Sequence, residues 1–280
     1  MFHPSAFDLD GYIGRIGFAG QRRPSLDTLT AIAALHPAAI PFENLDPYLR
    51  RPVPLDTDAL QRKLVHGGRG GWCFEHNLLL GTALAALGFR PIGLGARVLW
   101  NAAGPVGPRS HMVLLVETAG TRYVVDAGFG GLTLTAPLRL EPGAEQPTPH
   151  ERFRLRPLED DLVLEAEIQG DWRALYRFDL QAQRLADYEV SNWYLCHHPR
   201  SHFLQGVVAA RALPGRRYAL RAGQLTTHHT GGPSEHRRLA SGAELRAALE
   251  DTFGIAVPRG ADVDAALDRL IPSSMAGQVG

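Results

Sequence analysis

The stretch Arg69-Gly70-Gly71-Trp72-Cys73-Phe74-Glu75-His76-Asn77 joins a glycine loop to a run whose apolar residues recur as Phe74, Leu78, Leu84 and Leu87. Ala83, Ala85 and Ala86 fill the intervals and Gly88 follows, which is a helix pattern with a glycine stop. Cys73 therefore opens a helix. The unpaired backbone N–H groups and the macrodipole at such an end stabilise a thiolate. Gly70 and Gly71 let the backbone approach another group more closely than any residue with a Cβ allows. On this segment alone, Cys73 is equally readable as a structural cysteine buried at a loop-to-helix junction.

Upstream of this stretch the pattern is helical. Leu9, Ile13 and Ile16 fit a first short helix; Leu26, Leu29, Ile32 and Leu35 fit a second with Ser25 as N-cap. Asp56 or Thr57 caps a third, which carries Leu60 and Leu64 and ends at Gly67-Gly68. From Phe89 onward the pattern changes to short strands: Ile92 to Trp100, His111 to Glu117, Tyr123 to Val125, Phe153 to Leu155, Leu162 to Ile168 and Leu175 to Leu180. Gly, Pro and Asp clusters separate them, which predicts an antiparallel barrel or sandwich. One or two further strands are expected between Val207 and Leu225, then a capped helix over Ser241 to Thr252 and a last helical stretch over Asp262 to Leu270, followed by a polar tail. The fold class is α+β.

Bulk properties exclude several function classes. The chain has 280 residues, 45% apolar and 21% charged, an ordinary globular composition. Twenty-nine basic and 29 acidic residues cancel, so no global charge favours nucleic acid or an anionic membrane, and an anionic ligand has to be held by local groups. Lys63 is the only lysine, which removes most Schiff-base mechanisms. Cys73 and Cys196 are too few for a disulfide framework, and the first twenty residues carry Asp8, Asp10 and Arg15 in a short amphipathic pattern unlike a signal peptide. No apolar run approaches ~20 residues, so no membrane span is expected, and the chain reads as cytoplasmic. Cys196-His197-His198, with His202, His228 and His229 further on, lacks the paired spacing of a zinc site, and no metal is expected.

A cysteine nucleophile works with an imidazole that shuttles its proton and an acceptor that fixes the imidazole's tautomer. Ser110 to Glu117 and Arg122 to Asp126 read as two strands joined by a short turn with Gly120 at its second central position. If Ala119-Gly120 is a two-residue loop, Thr118 opposes Thr121 and His111 falls opposite Gly128. Asp126 is then two residues away on the same face. Such diagonal neighbours are ~7–8 Å apart at Cα, within reach of an imidazole–carboxylate hydrogen bond. An odd-length loop puts the two side chains on opposite faces. Asp126 also stands among apolar and small residues, Val124-Val125 before it and Ala127-Gly128-Phe129-Gly130-Gly131 after it, where a carboxylate is rarely left without a partner. Glu43 and Arg69 are charged residues in apolar contexts, and they are expected to pair in support of the nucleophile loop.

These residues together resemble the arylamine N-acetyltransferases. Arg69-Gly70-Gly71-Trp72-Cys73-Phe74-Glu75 looks like that family's nucleophile motif and Ile40-Pro41-Phe42-Glu43-Asn44-Leu45 like its upstream motif. Ser110-His111 and Val125 to Gly131 resemble its histidine and aspartate segments, in the same order, and Asn192-Trp193-Tyr194 with Pro199, Ser201 and Phe203 is also similar. The resemblance implies a helical bundle over residues 1–88 carrying the nucleophile, an antiparallel β-barrel over residues 89–203 carrying His and Asp, and an α/β lid over residues 204–280, around a core like that of cysteine proteases and transglutaminases. It implies acetyl-CoA as co-substrate with no permanently bound cofactor, and aromatic amines, hydrazines or hydroxylamines as acceptors. The implied route is ping-pong through an acetylated Cys73, with His111 as base and Asp126 as orienting carboxylate. Phe42 and Val98 match acceptor-pocket positions; Ser110, Gly128, Phe129 and Gly130 match substrate or CoA contacts. No helix pattern follows the Gly128–Gly131 loop, so it is not a dinucleotide fingerprint. The expected assembly is a monomer or homodimer. A thiol hydrolase, or an amide synthase closing a macrocycle on its own aromatic amine, would use the same three residues.

Overall fold

Side chains fix the starts of three N-terminal helices. Asp8 accepts the Gly11 N–H at 2.9 Å to start α1 (Leu9–Ile16), Ser25 accepts the Thr28 N–H at 3.2 Å to start α2 (Leu26–Ala39), and Asp56 accepts the Ala59 N–H at 2.9 Å ahead of α4 (Thr57–Leu60). Each satisfies a backbone donor that the first turn leaves unpaired. A two-residue strand, β1 (Phe42–Glu43), and a single turn, α3 (Leu45–Tyr48), lie between, and α4 runs on into a π-helical segment, Gln61–His66. Helix α5 (Cys73–Ala86) is buried from Cys73 to Leu84. The computed structural model describes residues 2, 4–102 and 104–271, so the polar tail lies outside it.

The strands begin at β2 (Ile92–Val98), β3 (His111–Thr118) and β4 (Thr121–Val125) and continue through β5 (Leu138–Arg139), β6 (Glu145–Pro147), β7 (Arg152–Leu158), β8 (Asp161–Ile168) and β9 (Asp171–Ala182). They form one antiparallel eight-stranded sheet in the order β5-β4-β3-β2-β9-β8-β7-β6. This sheet is a nearly closed barrel. Across its seam the Gln146 side chain stands in for a strand partner, accepting the Arg139 N–H at 2.7 Å and donating to the Arg139 carbonyl at 3.0 Å. Strand β3 is buried on both faces: Met112, Leu114 and Val116 pack with α5 and the N-terminal helices, while Val113 and Leu115 fill the barrel. That explains a continuous apolar run where a half-solvated strand would alternate.

After the barrel, helix α6 (Leu185–His197) leads to strands β10 (Val208–Leu213), β11 (Arg216–Arg221), β12 (Gln224–His229) and β13 (Ser234–Arg238), and then to α7 (Gly242–Ala247) and α8 (Ala261–Leu270). The second sheet has the order β1-β10-β11-β12-β13, so a strand from the N-terminal third closes one edge of it. Strands β10 and β11 fall between Val207 and Leu225, where one or two were expected; β12 and β13 extend beyond that stretch and were not expected, because they carry few apolar residues. Leu220, Leu225, Leu249, Phe253 and Leu267 build a separate core between this sheet and the last helices. Helix α6 was not expected. It buries Tyr188, Asn192 and Leu195 and exposes Val190 and Trp193, which inverts the polarity a helical pattern needs at three positions, 190, 192 and 193. Among the described residues no helix is long and apolar enough to cross a membrane.

Candidate active site

Cys73 is the first residue of α5 and is buried, with its thiol donating to the Ser110 carbonyl at 3.7 Å. The chain after β4 presses against it. A Cβ on Gly128 would stand 2.6 Å from the Cys73 Cα and 2.9 Å from its carbonyl oxygen, so only glycine lets the two backbones approach this closely.

The hairpin has the expected register. Thr118 pairs with Thr121 and Leu114 with Val125, across a turn whose two residues both have positive φ, Ala119 at 50° and Gly120 at 73°. His111 and Asp126 consequently share the barrel-facing side. His111 Nε2 donates to Asp126 Oδ2 at 2.7 Å. The other carboxylate oxygen accepts the Asn77 amide at 2.9 Å and the Gly128 N–H at 2.8 Å. Burial works against a charged imidazole, but Asp126 and the neighbouring Cys73 thiol outweigh it and push His111 up to about 10. Burial likewise opposes the Asp126 charge, and His111, Asn77 and the Gly128 N–H together hold its pKa below the usual carboxylate range. Two aromatic rings wall the imidazole, Tyr176 at 4.8 Å and Phe129 at 5.2 Å between centroids. The buried Tyr176 hydroxyl makes no hydrogen bond among the described residues; burial and the negative charge of Asp126 raise its pKa well above the ordinary value.

Behind Cys73 lies a buried ion network. Arg69 pairs with Glu43 at 2.7 Å, as its sequence context suggests, and also with Asp46 at 3.1 Å. Lys63 bridges Asp46 at 2.6 Å to Glu75 at 2.7 Å. Glu75 in turn accepts the Trp72 N–H at 3.1 Å, and Glu43 the Leu45 N–H at 2.6 Å, so the network terminates two backbone segments on either side of the site. Five mutually paired groups can stay charged where one alone would neutralise.

A family model described as "N-acetyltransferase" matches residues 25–262. A Mycolicibacterium smegmatis protein named arylamine N-acetyltransferase is 47% identical over 255 residues, covering 89% of this chain and 92% of that protein. The chain belongs to the arylamine N-acetyltransferase family. A solved M. smegmatis arylamine N-acetyltransferase superposes with a TM-score of 0.92 at 45% identity, covering 96% of this chain and 100% of that one. The Mycobacterium marinum arylamine N-acetyltransferase, solved in complex with CoA, gives 0.90 at 41% identity, covering 94% and 99%.

Within this arylamine N-acetyltransferase fold the remaining expected residues fall at different depths. Phe42 is buried, stacked parallel to His76 at 6.4 Å and tilted against Phe203 at 6.2 Å. Val98 ends β2 opposite Tyr176, the ring beside His111. Ser110 contributes its carbonyl to the thiol, and Gly130, at φ 79°, turns the loop beneath Phe42. The sequence reading passed over Asn77, Lys63, Asp46, Glu75 and Tyr176. Asn77 was findable, since it lies four residues after Cys73 and therefore on the same helix face. The others were not, because their partners come from separate elements. Among the described residues no group of three or more His, Cys, Asp or Glu side chains is placed to hold a metal ion. His197 instead stacks on Trp193 and His198 on Tyr194.

Proposed function

We propose that the chain moves the acetyl group of acetyl-CoA to the nitrogen of an arylamine, arylhydrazine or N-hydroxyarylamine by way of an acetyl-Cys73 thioester. The observation that carries this reading is one buried constellation: Cys73 at a helix start, beside an imidazole that its carboxylate partner keeps protonated. Cys73 attacks as its thiolate, with the protonated His111 beside it as the proton source. The thiolate adds to the thioester carbonyl, the CoA thiolate leaves, and it takes a proton from His111. One thioester replaces another, so this step needs little driving force. The arylamine, neutral at pH 7, then adds to acetyl-Cys73 while His111 accepts its proton and the Cys73 thiolate departs, which restores the starting pair. Nδ1, the ring nitrogen not engaged by Asp126, is the shuttle.

In this reading residues 1–88 supply the nucleophile, residues 89–203 the base and its carboxylate, and residues 204–280 the lid. Phe42 and Val98 line the acceptor side, and Ser110, Gly128, Phe129 and Gly130 contact substrate or the pantetheine arm. Glu43 and Arg69 support the loop that presents Cys73. Intact-protein mass spectrometry after mixing with acetyl-CoA tests it: one acetyl group on Cys73, absent from Cys73→Ala and discharged by an arylamine or arylhydrazine, is the expected result. An unmodified wild-type chain, or an adduct on Cys196, overturns it.

A further inference from the structure

We propose that His76 is a positioning residue for the nucleophile: its Nε2–H, held in that tautomer by a buried Tyr12–His36–His76 chain, anchors the Pro41 carbonyl on which the Gly70–Gly71 loop is seated. His76 Nε2 lies 3.2 Å from the Pro41 oxygen, His36 Nε2 lies 3.0 Å from His76 Nδ1, and the Tyr12 hydroxyl lies 2.8 Å from His36 Nδ1. All three side chains belong to fully buried residues.

Only one placement of hydrogens satisfies this chain with neutral rings. A carbonyl can only accept, so His76 Nε2 carries the hydrogen and its Nδ1 carries a lone pair. That lone pair needs a donor, which makes His36 Nε2 the N–H and His36 Nδ1 an acceptor. Tyr12 then donates. The Pro41 oxygen at the far end also accepts the Gly71 N–H at 3.3 Å, while the Gly71 carbonyl accepts the Glu43 N–H at 2.8 Å. A Cβ on Gly70 would come within 2.0 Å of the same Pro41 oxygen, so the loop crosses this carbonyl at backbone contact. His76 sits in the first turn of α5, three residues after Cys73, and its bond ties that turn to the loop that enters it. The imidazole thereby fixes both sides of the nucleophile.

The environment keeps both rings neutral. Burial lowers His76 to about 4 against the opposing backbone contacts of Pro41 and Gly71; Asp126 and Lys63 are the charges that reach it. Burial lowers His36 well below its ordinary value, helped by His76 and by Arg15. A proton added to His76 Nδ1 reverses every bond back to Tyr12, whose hydroxyl hydrogen then has no acceptor among the described residues. The seat of the loop is therefore sensitive to acid, although neither histidine takes part in acyl transfer.

This inference rests on Cys73 being the nucleophile of the proposed reaction, and its test includes a probe that does not need acetyl-CoA. The rate at which iodoacetamide alkylates Cys73, followed by peptide mass spectrometry from about pH 4 to 8, reads the placement of the thiol directly. Acetylation by acetyl-CoA is measured beside it. His76→Leu is expected to slow both by roughly tenfold or more, and Tyr12→Phe by a smaller factor, since small displacements of a reacting atom cost rates of this order. His76→Gln, whose amide keeps one donor and one acceptor but does not titrate, is expected to restore most of the rate and to fall less steeply than wild type toward pH 4, where protonation of the thiolate itself still slows both proteins. If His76→Leu does not fold, Tyr12→Phe, which removes a single oxygen, decides the matter. Folded His76→Leu or Tyr12→Phe protein that alkylates at the wild-type rate with the wild-type pH profile overturns the inference. Wild-type protein that shows the alkylation pattern but takes no acetyl group overturns the proposed reaction and leaves the positioning role standing.

Discussion

At the scale of single residues, Asp126 has both oxygens committed to donors: Oδ2 to His111, and Oδ1 to Asn77 and the Gly128 N–H. An asparagine there keeps its oxygen on the two donors, Asn77 and the Gly128 N–H, and turns its NH2 against His111. Asp126→Asn should therefore force His111 into the other tautomer and lower acetyl transfer by roughly 10³- to 10⁴-fold, with the fold retained; a single-turnover rate within tenfold of wild type would remove Asp126 from the mechanism. The same pair sets a pH window. His111 is raised from 6.5 to about 10, so its contribution to stability is complete below about 6.5 and is lost as pH rises through about 10. Asp126 is lowered from 3.8, so its contribution is present above that value and is lost as pH falls below it. Urea unfolding of wild type should weaken at both ends. In Asp126→Asn the alkaline weakening should move to lower pH or vanish, because His111 no longer has the carboxylate that raises it. Gly128 shows what a residue-level reading finds and misses: its place in a glycine-rich turn was visible, but the Cys73 backbone that occupies its Cβ position was not.

At the scale of elements, the β3–β4 hairpin carries the alignment of His111 with Asp126, and its two-residue turn sets the register. Ala119 holds φ at 50°, a left-handed conformation that costs a residue with a Cβ about 1 kcal/mol. Ala119→Gly should relieve that strain and raise stability by a few tenths to about 1 kcal/mol, measured as thermal midpoint, while leaving the register and the transfer rate unchanged; a loss of stability would show that Ala119 makes contacts that outweigh its backbone strain. This hairpin was legible in sequence because both determinants, turn length and strand parity, are local. Helix α6 was not. Asn192 is buried because its amide donates to the Val53 carbonyl at 2.9 Å, a partner 139 positions away, so the burial pattern of the helix depends on contacts that no local window contains.

At the scale of the molecule, Arg217 on β11 joins the C-terminal sheet to the loop that follows Asp126. It is buried, pairs with Glu151 through Nε and Nη2 at 2.8 and 2.6 Å, and donates to the Thr133 carbonyl at 2.9 Å. Thr133 in turn donates its hydroxyl to the Asp126 carbonyl at 2.7 Å. Glu151→Ala leaves a buried guanidinium without its counter-ion and should cost about 3 kcal/mol in urea unfolding. A change under about 0.5 kcal/mol would mean that water screens the pair. The helices of the first third, the barrel strands, the hairpin register and the juxtaposition of Cys73, His111 and Asp126 all follow from periodicity, caps, turn chemistry and a resemblance carried by several motifs in one order. These signals are local, since each is set by residues a few positions apart. Tertiary structure alone decided the rest. It joined Asp46, Lys63 and Glu75 to the Glu43–Arg69 pair in one network, made the N-terminal β1 an edge of the C-terminal sheet, and aligned Tyr12, His36 and His76 into one hydrogen-bonded chain. Buried polar groups have to find partners wherever the packed chain supplies them, and which distant segment does so is fixed only when the whole chain has folded.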